Sequence, residues 1–89
     1  MVQPIIECVP NISEGRNTAL INKIIDSIAQ SENCSVLSVE PDADYNRTVV
    51  TIAGEPELVY YAAFQLIKAS IELIDMSKHK GEHPRLGVV

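Results

Sequence analysis

The sequence predicts an α+β domain in which an antiparallel sheet carries two helices on one face. Three observations support that expectation. Short β-branched runs alternate with two longer stretches of helical periodicity, an acidic turn separates the two middle β-rich runs, and no apolar run approaches the roughly 20 residues of a membrane span. Eighty-nine residues, 46% hydrophobic and 21% charged with four Gly and five Pro, suit one folded domain at most. A chain of this size buries only about 60–65% of the surface exposed on unfolding, so its stability margin is thin.

Residues 5–9 (IIECV) are apolar and mostly β-branched, and Pro10-Asn11 is expected to close them into a short buried first strand. After the polar loop SEGRN, Leu20, Ile21, Ile24, Ile25 and Ile28 recur on one helical face, predicting a helix over about 17–30. Ser31-Glu32-Asn33 ends it. CSVLSVE (34–40) and RTVVTIAG (47–54) flank the acidic turn PDADYN and predict a hairpin. Gly54-Glu55-Pro56-Glu57 signals a second helix, because Pro fits the first turn and acids suit the positive end of the helix dipole. From Leu58 to about Ser77, Val59, Ala63, Leu66, Ile67 and Ile74, with Tyr60, Phe64 and Ile71 beside them, spread over more than one face. Deep packing of this helix is the expectation. Lys78, His79 and Lys80 suit its negative end, Gly81 supplies a cap and Pro84 blocks a restart. RLGVV (85–89) has the composition of a fourth strand, and the sequence stops inside it, so the single domain 1–89 reads as incomplete at its C-terminus. The order β-α-β-β-α-β is that of a ferredoxin-like sandwich.

A net charge of −5 and a pI near 4.8 remove any global field toward nucleic acid or anionic lipid, so neither nucleic acid nor membrane is an expected partner. An anionic ligand needs a local basic cluster instead. The opening MVQPIIECVPNISEG lacks the basic and long apolar regions of a signal peptide, which predicts a cytoplasmic protein. Cys8 and Cys34, in apolar strand-like runs, are expected to stay reduced and buried.

The densest group of reactive side chains is DMSKHKGEHPRLG, where Lys78, His79, Lys80, Glu82, His83 and Arg85 fall within eight residues after a rigid helix. Gly81 and Pro84 interrupt the helix that would align His79 with His83 on a metal, and HExxH is absent, so no metal is expected. Two readings of His83 stay open on residue type alone: a proton-transfer group, or a histidine bonded to backbone in a turn. Arg47, preceded by Asn46, either pairs with Glu40, Asp42 or Asp44 across the hairpin or offers its planar fork to a ligand carboxylate. In VPNISEGRN, Asn11, Ser13 and free backbone N–H groups sit before a helix start and either cap it or accept an anion. A single Gly there falls short of any nucleotide-binding fingerprint.

Taken together, ECVPNISEGRN, NRTVVTIAGEP and LIDMSKHKGEHPRLG resemble the N-terminal subdomain of glutamate formimidoyltransferases, the family that includes formiminotransferase-cyclodeaminase, along essentially the whole sequence. The resemblance implies transfer of a formimino group from N-formimino-L-glutamate to N5 of tetrahydrofolate, a step of histidine breakdown, by a homodimer. It makes His83 of GEHPR the catalytic acid/base. Glu40, Asn46, Arg47, Glu82, Arg85, Ser13 and Asn11 then become candidates for orienting that histidine or holding substrate and folate.

Two departures from the family pattern stand out. The family commonly carries D-x-D where this chain has Ser38-Val39-Glu40, and Ile12 stands where Phe is frequent. If the Glu40 carboxylate orients the histidine, its extra methylene displaces it by about 1 Å, a shift that costs on the order of 10²-fold in rate. The family's domain also has a second subdomain with the ligand site between the two, which these residues do not include. Two rival readings remain beside the enzyme: a non-catalytic ferredoxin-like binding module, and an acylphosphatase-like hydrolase, for which the first loop has too little glycine.

Overall fold

The computed structural model describes residues 4–74 and 89. Its elements run β1 (Ile6–Cys8), β2 (Asn11–Ile12), α1 (Thr18–Asp26), β3 (Cys34–Asp42), β4 (Arg47–Gly54) and α2 (Pro56–Leu73). All strand pairs are antiparallel and all involve β4. Among the described residues the result is an open four-stranded sheet with two helices, compatible with a ferredoxin-like α+β fold. The expected fourth strand at 85–89 falls outside the described residues except for Val89.

The first strand does not close at Pro10. Ile6 pairs with Gly54, Cys8 with Ile52, Asn11 with Val49 and Ile12 with Thr48, one unbroken register along a single edge of β4. Pro10 has no N–H to give, but its carbonyl still accepts from Val50 N–H at 3.0 Å. The ladder therefore loses one bond there and resumes. Ile12 gains full burial from that continuation. A side chain of this size contributes about 1.5–3 kcal/mol on burial.

The hairpin forms as expected, with β3 reaching Asp42 and paired to β4 along its whole length. Its register shifts between Val36 and Ser38. Period-two alternation alone would turn Val39 away from the core that Cys34 and Val36 face. The bulge absorbs Leu37, which is 60% exposed, and returns Val39 opposite the buried Val50.

Helix α1 is shorter than the periodicity suggested. Ser27 and Ile28 N–H groups bond to Ile24 and Ile25 carbonyls at 3.1 Å, tightening the last turn, and the Ser27 hydroxyl also donates to Ile24. Ile28 stays buried beyond the helix end. Gln65 of α2 accepts the Ala29 N–H at 2.9 Å, fastening the exit of α1 to its neighbour.

Ile24 and Ile28 join Val59, Ala62, Leu66 and Ala69 of α2 over Ile12, Val50 and Ile52 of the sheet, forming one core. Only one stripe of α2 contributes, since Tyr60, Tyr61, Phe64, Ile67 and Ile71 are exposed. The expected deep packing on several faces is therefore corrected to one face among the described residues. Both cysteines are free; Cys34 is buried and Cys8 half-buried. Burial raises the Cys34 thiol above its ordinary value. No helix among the described residues is long and apolar enough to cross a membrane.

Candidate functional site

The loop between β2 and α1 docks on the turn between β3 and β4. In that turn Asp42 Oδ1 accepts the N–H groups of Asp44 and Tyr45 at 3.0 and 3.2 Å. Asn46 then takes a left-handed conformation, φ 52, that sends the chain back as β4. Asn46 Oδ1 also accepts the Gly15 N–H at 2.9 Å in a buried setting. Arg16 Nε donates to the Ala43 carbonyl at 2.7 Å, and the wholly buried Thr48 hydroxyl donates to the Glu14 carbonyl. These three bonds clasp loop to hairpin.

Only glycine fits at position 15. A Cβ there would meet the Asp42 carbonyl oxygen and lie within 2.6 Å of the Arg47 backbone. The helix start behind the loop is capped from within: Asn17 Oδ1 accepts from Leu20 N–H, and the Glu14 carboxylate accepts from Arg16 and Asn17 N–H, each at 3.1 Å. The chain's own carboxylate and amide thus satisfy three N–H groups around the helix start. The cap is Asn17 rather than Ser13, which is itself buried and hydrogen-bonded or otherwise engaged.

Three of the expected site residues share the sheet face opposite the helices. Thr48, Val50 and Ile52 are buried toward the core, so Arg47, Val49 and Thr51 belong to the other face. Register adds Asn11 and Glu40 on either side of Val49, Ser38 opposite Thr51, and Asp42 opposite Arg47. Asn11 and Glu40 are exposed. The Arg47 guanidinium lies over the Tyr45 ring, 5.3 Å from its centroid. Its Nε is buried with no hydrogen-bond partner among the described residues. Asn46 belongs to the clasp, and Ser13 is buried in the loop next to it. His83, Glu82 and Arg85 lie outside the described residues.

Sequence reasoning missed Tyr45, Ser38 and Thr51. Alternation from Val50 and Ile52 points to Thr51, whereas Ser38 needs the bulge and Tyr45 needs the turn geometry. Among the described residues no three His, Cys, Asp or Glu side chains converge as a metal site would require. A cleft of about 310 Å³ lies at the opposite end of the sheet, lined by Glu32, Cys34 and Glu55 among others. Both ends of the sheet carry carboxylates, and the Arg47 end adds a guanidinium.

The class defined by this architecture is an α+β domain with an antiparallel sheet, one face packed under helices and the other presenting amide, hydroxyl, carboxylate and guanidinium groups. Residues 5–89 match the model of the formiminotransferase domain, N-terminal subdomain, and the chain belongs to that family. It is 47% identical over 85 residues to formimidoyltransferase-cyclodeaminase of Mus musculus, covering 96% of this chain and 16% of that protein. To glutamate formimidoyltransferase of Streptococcus pyogenes serotype M1 it is 45% identical over 83 residues, 93% of this chain and 28% of the relative. The glutamate formimidoyltransferase of Thermoplasma acidophilum gives 47% over 83 residues, with 93% and 27% covered. The chain thus spans under a third of the length of each of these relatives.

Proposed function

We propose that this chain is the N-terminal part of a folate-dependent formiminotransferase that moves a formimino group from N-formimino-L-glutamate to tetrahydrofolate in histidine breakdown. The observation that supports this most is the 47% identity, over 93% of the chain, to a relative named glutamate formimidoyltransferase. In the reaction, N5 of tetrahydrofolate attacks the formimino carbon and a tetrahedral centre forms. His83 takes the proton that N5 gains and gives it to the departing glutamate nitrogen as its bond to that carbon breaks. A neutral imidazole suits both transfers near neutral pH.

Arg47 is the residue best fitted to a substrate carboxylate. Its fork binds carboxylates bidentately, and its guanidinium carbon lies 5.3 Å from the Tyr45 ring centroid. Glu40, Glu82 and Arg85 orient His83 or hold further carboxylates, Asn11 lines the same sheet face, and Ser13 and Asn46 shape the loop behind it. A second subdomain completes the folate site. The assembled enzyme is a cytoplasmic homodimer acting on small molecules, with neither nucleic acid nor membrane as partner.

The test joins residues 1–89 to the remainder of the Streptococcus relative in place of its own matched stretch. Turnover to 5-formiminotetrahydrofolate is measured beside calorimetric binding of tetrahydrofolate. His83→Ala is expected to keep folate affinity while kcat falls about 10²–10⁴-fold. Arg47→Ala is expected to raise KM for formiminoglutamate more than it lowers kcat. An unchanged kcat in His83→Ala sinks the mechanism.

A further inference from the structure

Helix α2 has two apolar faces, and the described part of the chain covers one. Val59, Ala62, Leu66 and Ala69 face the core. On the outside, Tyr60, Phe64, Ile67 and Ile71 are 67%, 60%, 40% and 63% exposed. Their spacing of four, three and four residues is that of a seam into which a neighbouring helix sets its side chains. Tyr61 and Phe64 extend the seam into a groove of about 260 Å³ that Ser27, Lys68 and Glu72 also line. Glu57, Lys68 and Glu72 are exposed on the same helix, but the seam positions themselves carry no charged side chain, unlike the outer side of a helix that faces only water.

We infer that this outer face of α2 seats a helix from the part of the formiminotransferase polypeptide that lies outside the stretch matched here. The length of polypeptide outside the matched stretch points to this occupant, and the modest apolar area agrees with it. The exposed parts of these side chains amount to roughly 500 Å², taking about 150–250 Å² per aromatic residue and slightly less per Ile. A stable interface between separate molecules needs about 800 Å² per partner. A helix tethered in the same polypeptide avoids most of the association cost and holds with less area. The material is available, because the relatives are several times longer than the matched stretch, which is 28% of one and 16% of another.

Residues 75–88 are a poor source for the occupant. Their larger apolar residues are only Met76, Leu86 and Val88, and Gly81 and Pro84 oppose a continuous helix. The seated helix is apolar at alternating three- and four-residue spacing, with an acidic side chain toward Lys68 and a basic one toward Glu72. This inference depends on family membership and on the exposed face, and is independent of the transfer reaction.

The test introduces Phe64→Glu and Ile71→Glu, separately, into the 89-residue chain and into the fusion with the remainder of the Streptococcus relative. In the short chain both side chains already face water, so Tm moves by less than about 2 °C. In the fusion each variant lowers Tm by at least about 5 °C. Small shifts in both proteins overturn the inference. Large shifts in both overturn it in favour of a cover within the 89 residues, and a short chain that sediments as a dimer and is dissociated by Ile71→Glu overturns it in favour of a second copy. Should the fusion not fold, the two pieces are co-expressed: retention of the Streptococcus piece that Phe64→Glu abolishes supports the inference, and no retention overturns it.

Discussion

Asn46 holds two stabilising features in one residue, and two substitutions separate them. Its Oδ1 takes the buried Gly15 N–H at 2.9 Å, and its backbone sits at φ 52. Asn46→Gly removes the acceptor and keeps the conformation free of strain, so the loss is that of an orphaned buried donor, about 1–3 kcal/mol. Asn46→Ala removes the same acceptor and adds the cost of a Cβ in the left-handed region, about 1–2 kcal/mol. The Ala variant is therefore the less stable of the two. In a domain of this size 1 kcal/mol moves Tm by about 4–8 °C, so Ala melts roughly 4–16 °C below Gly. Thermal and urea unfolding followed by circular dichroism measure this directly, and hydrogen exchange at the Gly15 amide should quicken in both variants. If the two variants melt together, or Ala melts above Gly, the positive φ and the reasoning built on it are wrong.

Further outcomes follow from the same geometry. Ile12→Ala should cost about 2–5 kcal/mol in urea unfolding, because Ile12 is wholly buried; a loss below about 0.5 kcal/mol would mean that the first strand does end at Pro10. Gly15→Ala should cost about 1–3 kcal/mol as the loop is pushed off the hairpin, and a variant as stable as the parent would contradict the close approach to Asp42 and Arg47. The raised Cys34 thiol gives a pH dependence with a definite sign. Below the unfolded thiol value of about 8.5 both states are protonated and stability is full; above it the unfolded chain ionises first, so stability falls as pH rises toward and through the higher folded value. Unfolding free energies at pH 7.5 and 9.5 should show this decline, and Cys34→Ala should reduce it. An identical decline in the variant would assign the effect to another group.

Most of the element order was legible because the hairpin and both helices are set by local signals: β-branched runs, an acidic turn, and a Pro-led helix start. What local signals misjudged depended on pairing. Pro10 looked like a terminator, yet β4 accepts a strand that has lost one hydrogen bond as long as Ile12 can be buried on the far side. Alternation could not reveal which of Leu37 and Ser38 leaves the ladder, since that depends on matching Val39 to Val50. At the site, residue type singled out Arg47 and Glu40, while their sharing a face with Asn11 came from register. Residue type left Ser13 between capping α1 and holding an anion, whereas the side chain that bonds a helix N–H is that of Asn17. The excess of apolar residues on α2 was visible in the sequence; how they divide between a core face and an outer face was not.

The two faces that the described residues leave uncovered differ in chemistry, and the difference suggests what each one meets. An antiparallel sheet tolerates one wet face if that face is polar, and the face with Asn11, Ser38, Glu40, Arg47 and Thr51 meets the condition. Such a face can remain in contact with water. The outer stripe of α2 offers Tyr60, Phe64, Ile67 and Ile71, which gain nothing from a charged small molecule and lose free energy in water. Protein is the cover that suits them. Losing that cover should therefore weaken stability and solubility first, whereas losing Arg47 should weaken ligand binding first.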